Sequence, residues 1–339
     1  MEKKVSLKDV AKHIGVSAAL VSYVMNGKEK EARVGLDMAK KIKAAAAELN
    51  YQPNLIAKSL KMGTTRTIGL IVADISNPFF SSIARIVEDE AKKQGYVVIF
   101  GSSDENAEKQ SDLIDVFSTR LVDAFIIAPA ANTAPQIQNL ISRAVPVVLI
   151  DRFFSWLNVD CVHIDNYNAS GKAVERLIRN GRKKIGMLAY DTAQSHMEER
   201  KLGYKAALKE GNIRFKKEWL VEASYQHINE EVTEKLQHLL NPLTIDALFF
   251  ATNSLAVAGL KAINKMGIKV PEQLAVISFD ESDAFDFFYS PVTYVSQSLT
   301  DIGKEAVKLV LNRLNNKIKK NSSVIVEAKL VVRESCGSR

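Results

Sequence analysis

The chain has 339 residues, 46 Lys+Arg against 39 Asp+Glu and 47% hydrophobic residues, which excludes a disordered, collagen-like or small disulfide-stapled protein and leaves room for two domains. Its net charge of +7 is uneven: residues 1–63 hold 12 basic and 6 acidic side chains, and residues 64–339 hold 34 and 33. A basic module on a neutral body points to a polyanionic partner, because phosphate neutralisation with counterion release drives sequence-independent nucleic-acid binding; a solvated Lys-rich helix face is the plain alternative.

Ser6-Leu7-Lys8-Asp9 has capping-box form, and Leu7, Val10, Ala11 and Ile14 follow helical spacing up to Gly15. A second helix starts after Ser17, with Leu20, Val21, Val24 and Met25 on one face, and stops at Asn26-Gly27. A third runs from about Leu36 to Leu49, and Asn50-Tyr51-Gln52-Pro53 ends it. Two short helices around a tight turn, crossed by a third, make a helix-turn-helix; an ordinary helical hairpin has the same spacing, and the local basic excess favours DNA. Residues 54–62 read as one short helix, too short to be stable alone in water and placed as a linker.

From Thr67 short β-branched runs alternate with amphipathic helices: Ile68–Ala73, Val97–Ser102, Ala124–Ala128, Val147–Asp151, Val162–Ile164, Ile185–Ala189, Ala247–Ala251 and Ala275–Phe279. That alternation means parallel sheets covered on both faces, and the length predicts two similar lobes with a cleft between them. The expected division is 1–63 for the DNA-binding domain with its 54–62 linker helix, and 64–339 for a body. Its lobes are approximately 64–180 plus 297–321, and 181–296 plus 322–335. Ser323 to Glu334 reads as a final strand or crossover.

No signal-peptide core or membrane-length apolar run occurs, which places the chain in the cytoplasm, on the nucleoid when DNA is bound. Cys161 and Cys336 lack metal or redox spacing, and the five histidines never fall at HxxxH spacing. No glycine lies two residues from another, so the G-x-G start of a dinucleotide-binding fingerprint is missing; P-loop and G-x-S-x-G patterns are missing as well, and neither metal, cofactor nor enzymatic activity is expected. What remains is a set of polar residues at strand ends, where open parallel sheets bind ligands: Asp74, Asp151-Arg152, Asp165-Asn166, Asn253 and Asp280. They suit a hydroxyl-rich ligand, and each is equally at home as a helix N-cap. Phe79, Phe80, Trp156, Phe285, Phe287 and Tyr289 can stack on a sugar or base, or be core.

From Val5 almost to Arg333 the chain resembles LacI/GalR transcription regulators. The likeness rests on VSLKDVAKHIGVS (5–17), LVSYVMNG (20–27), YQPN (51–54), AKSL (57–60), IGLIVADISNPFF (68–80), Asp165-Asn166, Arg200 with Gly203-Tyr204, and Ser278-Phe279-Asp280. The resemblance implies an all-α helix-turn-helix domain joined to an α/β two-lobed periplasmic-binding-protein-like (type 1) domain with parallel sheets. It implies DNA contacts from Ser6, Ser17, Ala18, Ala19, Ser22, Tyr23, Asn26, Tyr51, Asn54, Lys58 and Leu60, with Ser17 and Ser22 at phosphates, Ala18, Ala19 and Tyr23 over base edges, and Leu60 as a minor-groove wedge. Asp74, Phe79, Arg152, Asp165, Arg200, Asn253 and Asp280 would hold a small-molecule effector, a sugar or sugar derivative. The chain would act as a homodimer on a palindromic operator, paired mainly through Ser81 to Phe117, and without the family's tetramerising helix.

Several positions depart from the family pattern. Leu20 stands for the usual Thr, Tyr23 for the usual Arg, Gly35 for a capping Ser, Ser254 for a common Asp, and Ala189-Tyr190-Asp191 for a Gly-Pro turn. The alternatives are a solute-binding protein delivering sugar to a transporter, which needs a signal peptide and no helix-turn-helix, or a sugar-active enzyme, which needs a nucleophile or paired carboxylates.

Overall fold

The computed structural model describes residues 5–52, 63–317 and 320–337. The chain divides into two compact units, Met1–Thr65 and Arg66–Arg339.

In the first unit, α1 (Leu7–Ile14), α2 (Ala18–Met25) and α3 (Leu36–Glu48) enclose a small core of Val10, Ala11, Val21, Val24, Ala39, Ile42, Ala45 and Ala46. Each boundary has a local cause. Ser6 and Asp9 close a reciprocal capping box on α1, with the Ser6 amide donating to Asp9 Oδ2 at 2.8 Å and the Asp9 amide to Ser6 Oγ at 3.3 Å. Gly15 ends the helix at φ +69°, a left-handed conformation that costs glycine nothing. Gly35 leaves the start of α3 without a side-chain cap.

The second unit begins with β1 (Thr67–Val72), α4 (Pro78–Lys93), β2 (Val97–Ser102), α5 (Ala107–Thr119), β3 (Ala124–Ile127), α6 (Ala134–Ser142), β4 (Val147–Ile150) and β5 (Asp160–Ile164). It continues with α7 (Asn166–Arg179), β6 (Ile185–Tyr190), α8 (Ser195–Glu210), β7 (Leu220–Ala223), α9 (Ile228–Leu240), β8 (Ala247–Phe250), α10 (Asn253–Lys265), β9 (Ala275–Phe279), α11 (Ala284–Phe287) and β10 (Thr293–Gln297). α12 (Leu299–Leu314), β11 (Ser323–Val326) and β12 (Ala328–Val331) follow. These strands form two six-stranded sheets, in the orders β11-β5-β4-β3-β1-β2 and β12-β10-β9-β8-β6-β7. The central strands are apolar runs buried on both faces, as parallel strands under helical layers must be.

Two details differ from the sequence expectation. The second sheet is not wholly parallel: β12 runs antiparallel to β10. β11 and β12 are one extended segment with a single intervening residue, Glu327, so the chain keeps its direction while passing from the first sheet to the second. The lobe crossovers also fall elsewhere. α7 packs on α8, β10 and β12 rather than on the first lobe, and β11 hydrogen-bonds β5. The crossings therefore lie near residues 165, 298 and 327 instead of 180, 297 and 321.

α7 and α8 meet at two glycines with different tolerances. A Cβ built at Gly203 runs into the carbonyl oxygen of Tyr167, whereas at Gly171 the nearest atom is 3.9 Å away. Gly203→Ala should therefore lower unfolding free energy in urea by about 1–3 kcal/mol through overpacking. Gly171→Ala should be neutral or stabilising by up to about 1 kcal/mol through helix propensity. Equal effects at the two positions would contradict the packing described.

Candidate functional site

In the first unit, the backbone N–H of Leu20 donates to Ser17 Oγ at 3.2 Å, so Ser17 caps α2 and fixes where the helix starts. With Val21 and Val24 inward, Ala19, Tyr23 and Asn26, spaced i, i+4, i+7, form the exposed face, and the Tyr23 ring is 47% exposed. Asn26 Nδ2 donates to the Ser22 carbonyl at 2.7 Å and tightens the last turn. Ala18, expected over base edges, is half-buried against the helical core, one turn before Val21. Tyr51 also packs on that core, and burial raises its phenol pKa. Ser6 is committed to its capping box, and Ser22 is half-buried. Asn54, Lys58 and Leu60 lie outside the described residues.

In the second unit the strand-end residues converge on the cleft between the lobes. Asp151 after β4 and Asp280 after β9 occupy equivalent places: both have φ near +65°, and their amides donate to the Val162 and Val295 carbonyls at 3.0 Å. Burial raises the pKa of both carboxyls; Glu105 adds to the rise at Asp151 and Asp151 to the rise at Asp280, while Arg152 and Arg200 oppose it at Asp151 and Arg200 opposes it at Asp280. Arg152 is fully buried and forks onto Glu105 through two bonds of 2.6 Å, with Asp151 at 3.2 Å and the Phe80 ring beneath it. Arg200 lies over the Phe279 ring at 3.6 Å, donates to Asn166 Oδ1 at 2.9 Å and the Ala251 carbonyl at 2.7 Å, and pairs with Asp280 at 3.5 Å.

Phe79 and Asp280, on opposite lobes, line one small cavity of about 150 Å³ with Gln297. Gln297 donates to Asp280 Oδ1 at 2.5 Å, and its own Oε1 is buried without a hydrogen-bond partner. Asn253 donates to Asn77 Oδ1 at 3.1 Å, bridging the lobes. Asp74 accepts from the Ser76 amide and hydroxyl and adds to the field that raises the Tyr190 phenol, a group shifted mainly by burial. Asp165 is the exception among the expected residues. Its carboxylate caps α7 through the Asn168 amide at 2.9 Å, which is the helix-cap role.

A larger cavity of about 1020 Å³, with no lining residue in common with the first, also lies between the lobes, lined by Phe153, Phe154, Trp156, Gln194, Glu198 and Glu199 among others. Glu105, Tyr190, Tyr225, His196 and Gln194 are cleft residues that the sequence reading did not single out as ligand groups. Glu105 and Tyr225 sit two to three residues beyond the ends of β2 and β7, so the strand-end rule extended to every strand would have found them. Tyr225 packs face to face on Tyr190 at 4.0 Å, and burial raises its phenol pKa, with the negative charge of Glu105 adding to the rise and Arg152 opposing it.

Residues 6–54 match the family model of bacterial regulatory proteins, lacI family, and residues 174–336 match the periplasmic binding protein-like domain. The HTH-type transcriptional repressor PurR of Pasteurella multocida (strain Pm70) is 30% identical over 336 residues, covering 98% of this chain and 99% of that protein. The chain belongs to the lacI family of bacterial regulatory proteins. PurR of Haemophilus influenzae (strain PittEE) is 28% identical over 341 residues, covering 98% of this chain and 99% of that one. The solved lac repressor dimer bound to operator and the anti-inducer ONPF superposes with a TM-score of 0.87 at 22% identity, over 98% of this chain and 99% of that one, which establishes the shared fold. The CelR–cellobiose complex gives a TM-score of 0.72 at 25% identity, over 98% of this chain and 100% of that one. This lacI-family chain is thus a DNA-binding transcriptional regulator with a two-lobed effector domain. Among the described residues no helix is long and apolar enough to cross a membrane.

His196 gives a pH test of this cleft. Burial, then Arg152, Arg200 and Lys201, hold its pKa well below 6.5, and its Nδ1 is buried without a partner. The folded state therefore keeps the imidazole neutral while the unfolded chain protonates near pH 6.5, so stability is present above that pH and falls as pH drops below it. Urea unfolding should lose up to about 1.4 kcal/mol per pH unit from this group between pH 6.5 and 5.5. His196→Leu should flatten that part of the profile, and an unchanged slope would contradict the assignment.

Proposed function

We propose that this chain is a homodimeric, non-enzymatic repressor working on DNA in the cytoplasm, whose operator affinity is set by a neutral, hydroxyl-rich effector held in the interlobe cleft. The observation that carries the effector class is the charge state of the cleft. Arg152 and Arg200, its buried arginines, are saturated by Glu105, Asp151, Asn166, the Ala251 carbonyl and Asp280. The 1020 Å³ cavity then offers Glu199 and Asp191 beside Trp156 and Phe154, with Glu198 paired to Lys201 at 3.0 Å. Such a surface repels phosphorylated or carboxylated ligands and suits sugar rings, whose apolar faces stack on aromatics while their hydroxyls donate to carboxylates. The relative solved with cellobiose supports the same class. Gln297 Oε1 and His196 Nδ1 are further buried groups that a ligand hydroxyl would satisfy. Asp74, Phe79, Asn253 and Asp280 line or brace this site in the proposal, and Asp165 acts through α7.

The DNA-reading face is Ala19, Tyr23 and Asn26: the alanine methyl can touch a thymine methyl, and the phenol and amide can hydrogen-bond base edges. Ser6, Ser17 and Ser22 serve this face by fixing the helices or reaching phosphates. Dimerisation through the first lobe is supported by exposed Val97 and Phe100 on the edge strand β2 and Val116 on α5.

Two measurements test the reading. In a thermal-shift screen, neutral mono- and disaccharides should contain a stabiliser that Trp156→Ala weakens at least tenfold in midpoint concentration, with the corresponding sugar phosphates inactive; stabilisation by the phosphates alone would overturn it. In light scattering, the protein should have the mass of two chains, and Phe100→Asp should shift it to one.

A further inference from the structure

The body as a whole is nearly neutral, yet its charge is not evenly placed. Residues 304–320 hold six basic side chains (Lys304, Lys308, Arg313, Lys317, Lys319, Lys320) and one acidic one, Glu305. This stretch contributes +5 to a body of +1, so the remainder of the body is acidic. Arg313 is consumed structurally, since it pairs with the buried Asp160 at 2.6 Å. The other described cations stay at the surface.

They form part of a groove of about 390 Å³ that runs along α12 and faces the last turn of α4. Its charged lining is Arg66, Lys304, Lys308, Lys317 and Glu90. Glu90 is already neutralised by Lys93 at 2.6 Å, and Lys308 is held only by an exposed i,i+3 pair with Glu305, which is worth little and exchanges readily for another anion. The groove also carries amide and phenol donors from Gln94, Asn312 and Tyr96. Arg66 is the residue at which the body begins, directly after the DNA-binding unit ends at Thr65.

We infer that this groove on the first lobe binds phosphate groups, and that these are backbone phosphates of the DNA the chain is bound to, so that the effector-binding body itself adds electrostatic grip. Three features carry it: a local cationic excess against an otherwise acidic body, a concave surface with neutral hydrogen-bond donors between the cations, and covalent adjacency to the DNA-binding unit. The second lobe supplies the natural comparison. A groove of about 440 Å³ there, lined by Arg182, Lys183, Arg214 and Lys216, is similarly basic, but its lobe is not the one the DNA-binding unit is attached to.

The test compares three full-length proteins: wild type, a first-lobe triple variant (Lys304→Gln, Lys308→Gln, Lys317→Gln) and a second-lobe triple variant (Lys183→Gln, Arg214→Gln, Lys216→Gln). Binding to a long duplex of arbitrary sequence is followed by anisotropy over a range of NaCl. Each phosphate contact adds about 0.9 to the slope of log K against log salt, so the first-lobe triple should lower the slope by roughly 2 to 3 while the second-lobe triple leaves it unchanged. Equal slopes in wild type and the first-lobe triple, or equal losses in both triples, would overturn the inference, the latter because net charge alone would then be acting. A parallel thermal-shift titration with inorganic phosphate and pyrophosphate separates the sources: stabilisation of wild type but not of the first-lobe triple, with unchanged DNA slopes, would assign the groove to a soluble phosphorylated ligand and overturn the DNA source. The inference rests on the DNA-binding role. If none of the three proteins bound DNA, that role would fall, and the phosphate titration alone would decide the groove.

Discussion

A guanidinium buried in a protein is tolerable only when its donors are met by fixed acceptors, and the centre of this molecule is arranged around that requirement. Arg152 is anchored by the two oxygens of Glu105 and by Asp151, from two different loops of the first lobe, and the charges of Arg152 and Glu105 both act on the buried Tyr225 phenol of the second lobe. Arg200 on the second lobe is held in the corresponding way by Asn166, the Ala251 carbonyl and Asp280. Because Asp151 lies on one lobe and Asp280 on the other, the relative position of the lobes sets how strongly Asp151 raises the Asp280 carboxyl. The cleft is therefore an electrostatic assembly before it is a binding site, and a ligand that enters it changes the balance of groups already bonded to protein.

The same logic explains why recognition and response separate cleanly in this chain. The first unit is small, and its stability comes from eight buried apolar side chains and the capped starts of α1 and α2, leaving one short helix face uncommitted. The second unit has two extensive cores and keeps its polar chemistry at strand ends. In the proposed reading, sequence selection falls to the exposed side chains of α2 and overall grip to distributed positive charge.

Much of this was legible in the sequence, for identifiable reasons. Strands buried on both faces must be apolar runs, so Ala275–Phe279 and Ala247–Phe250 stand out from their surroundings. Capping chemistry is local, so Ser6, Ser17 and Gly15 mark the ends of α1 and the start of α2 directly. Ala18 and Ala19 differ in exposure because adjacent helical residues lie about 100° apart, which sets Ala18 partly against the core and Ala19 outward. Asp165 was ambiguous in kind, since a strand-end carboxylate and a helix cap occupy the same place in a βα unit. Glu105, Tyr225 and Gln194 could not be paired in advance, because their partners lie tens of residues to more than a hundred residues away and no local pattern records such meetings.

The passage from β11 to β12 through one residue has a mechanical consequence. Three segments cross between the lobes, near residues 165, 298 and 327, and the third of them is almost taut: Val326 is the last residue of one sheet and Ala328 the first of the other. A pair of bodies joined by three short, side-by-side straps cannot slide apart or tumble freely; what stays soft is a swing about the line of the straps. Opening and closing of the cleft is thereby reduced to something close to a single coordinate, so a small molecule has to supply only the bias along that coordinate.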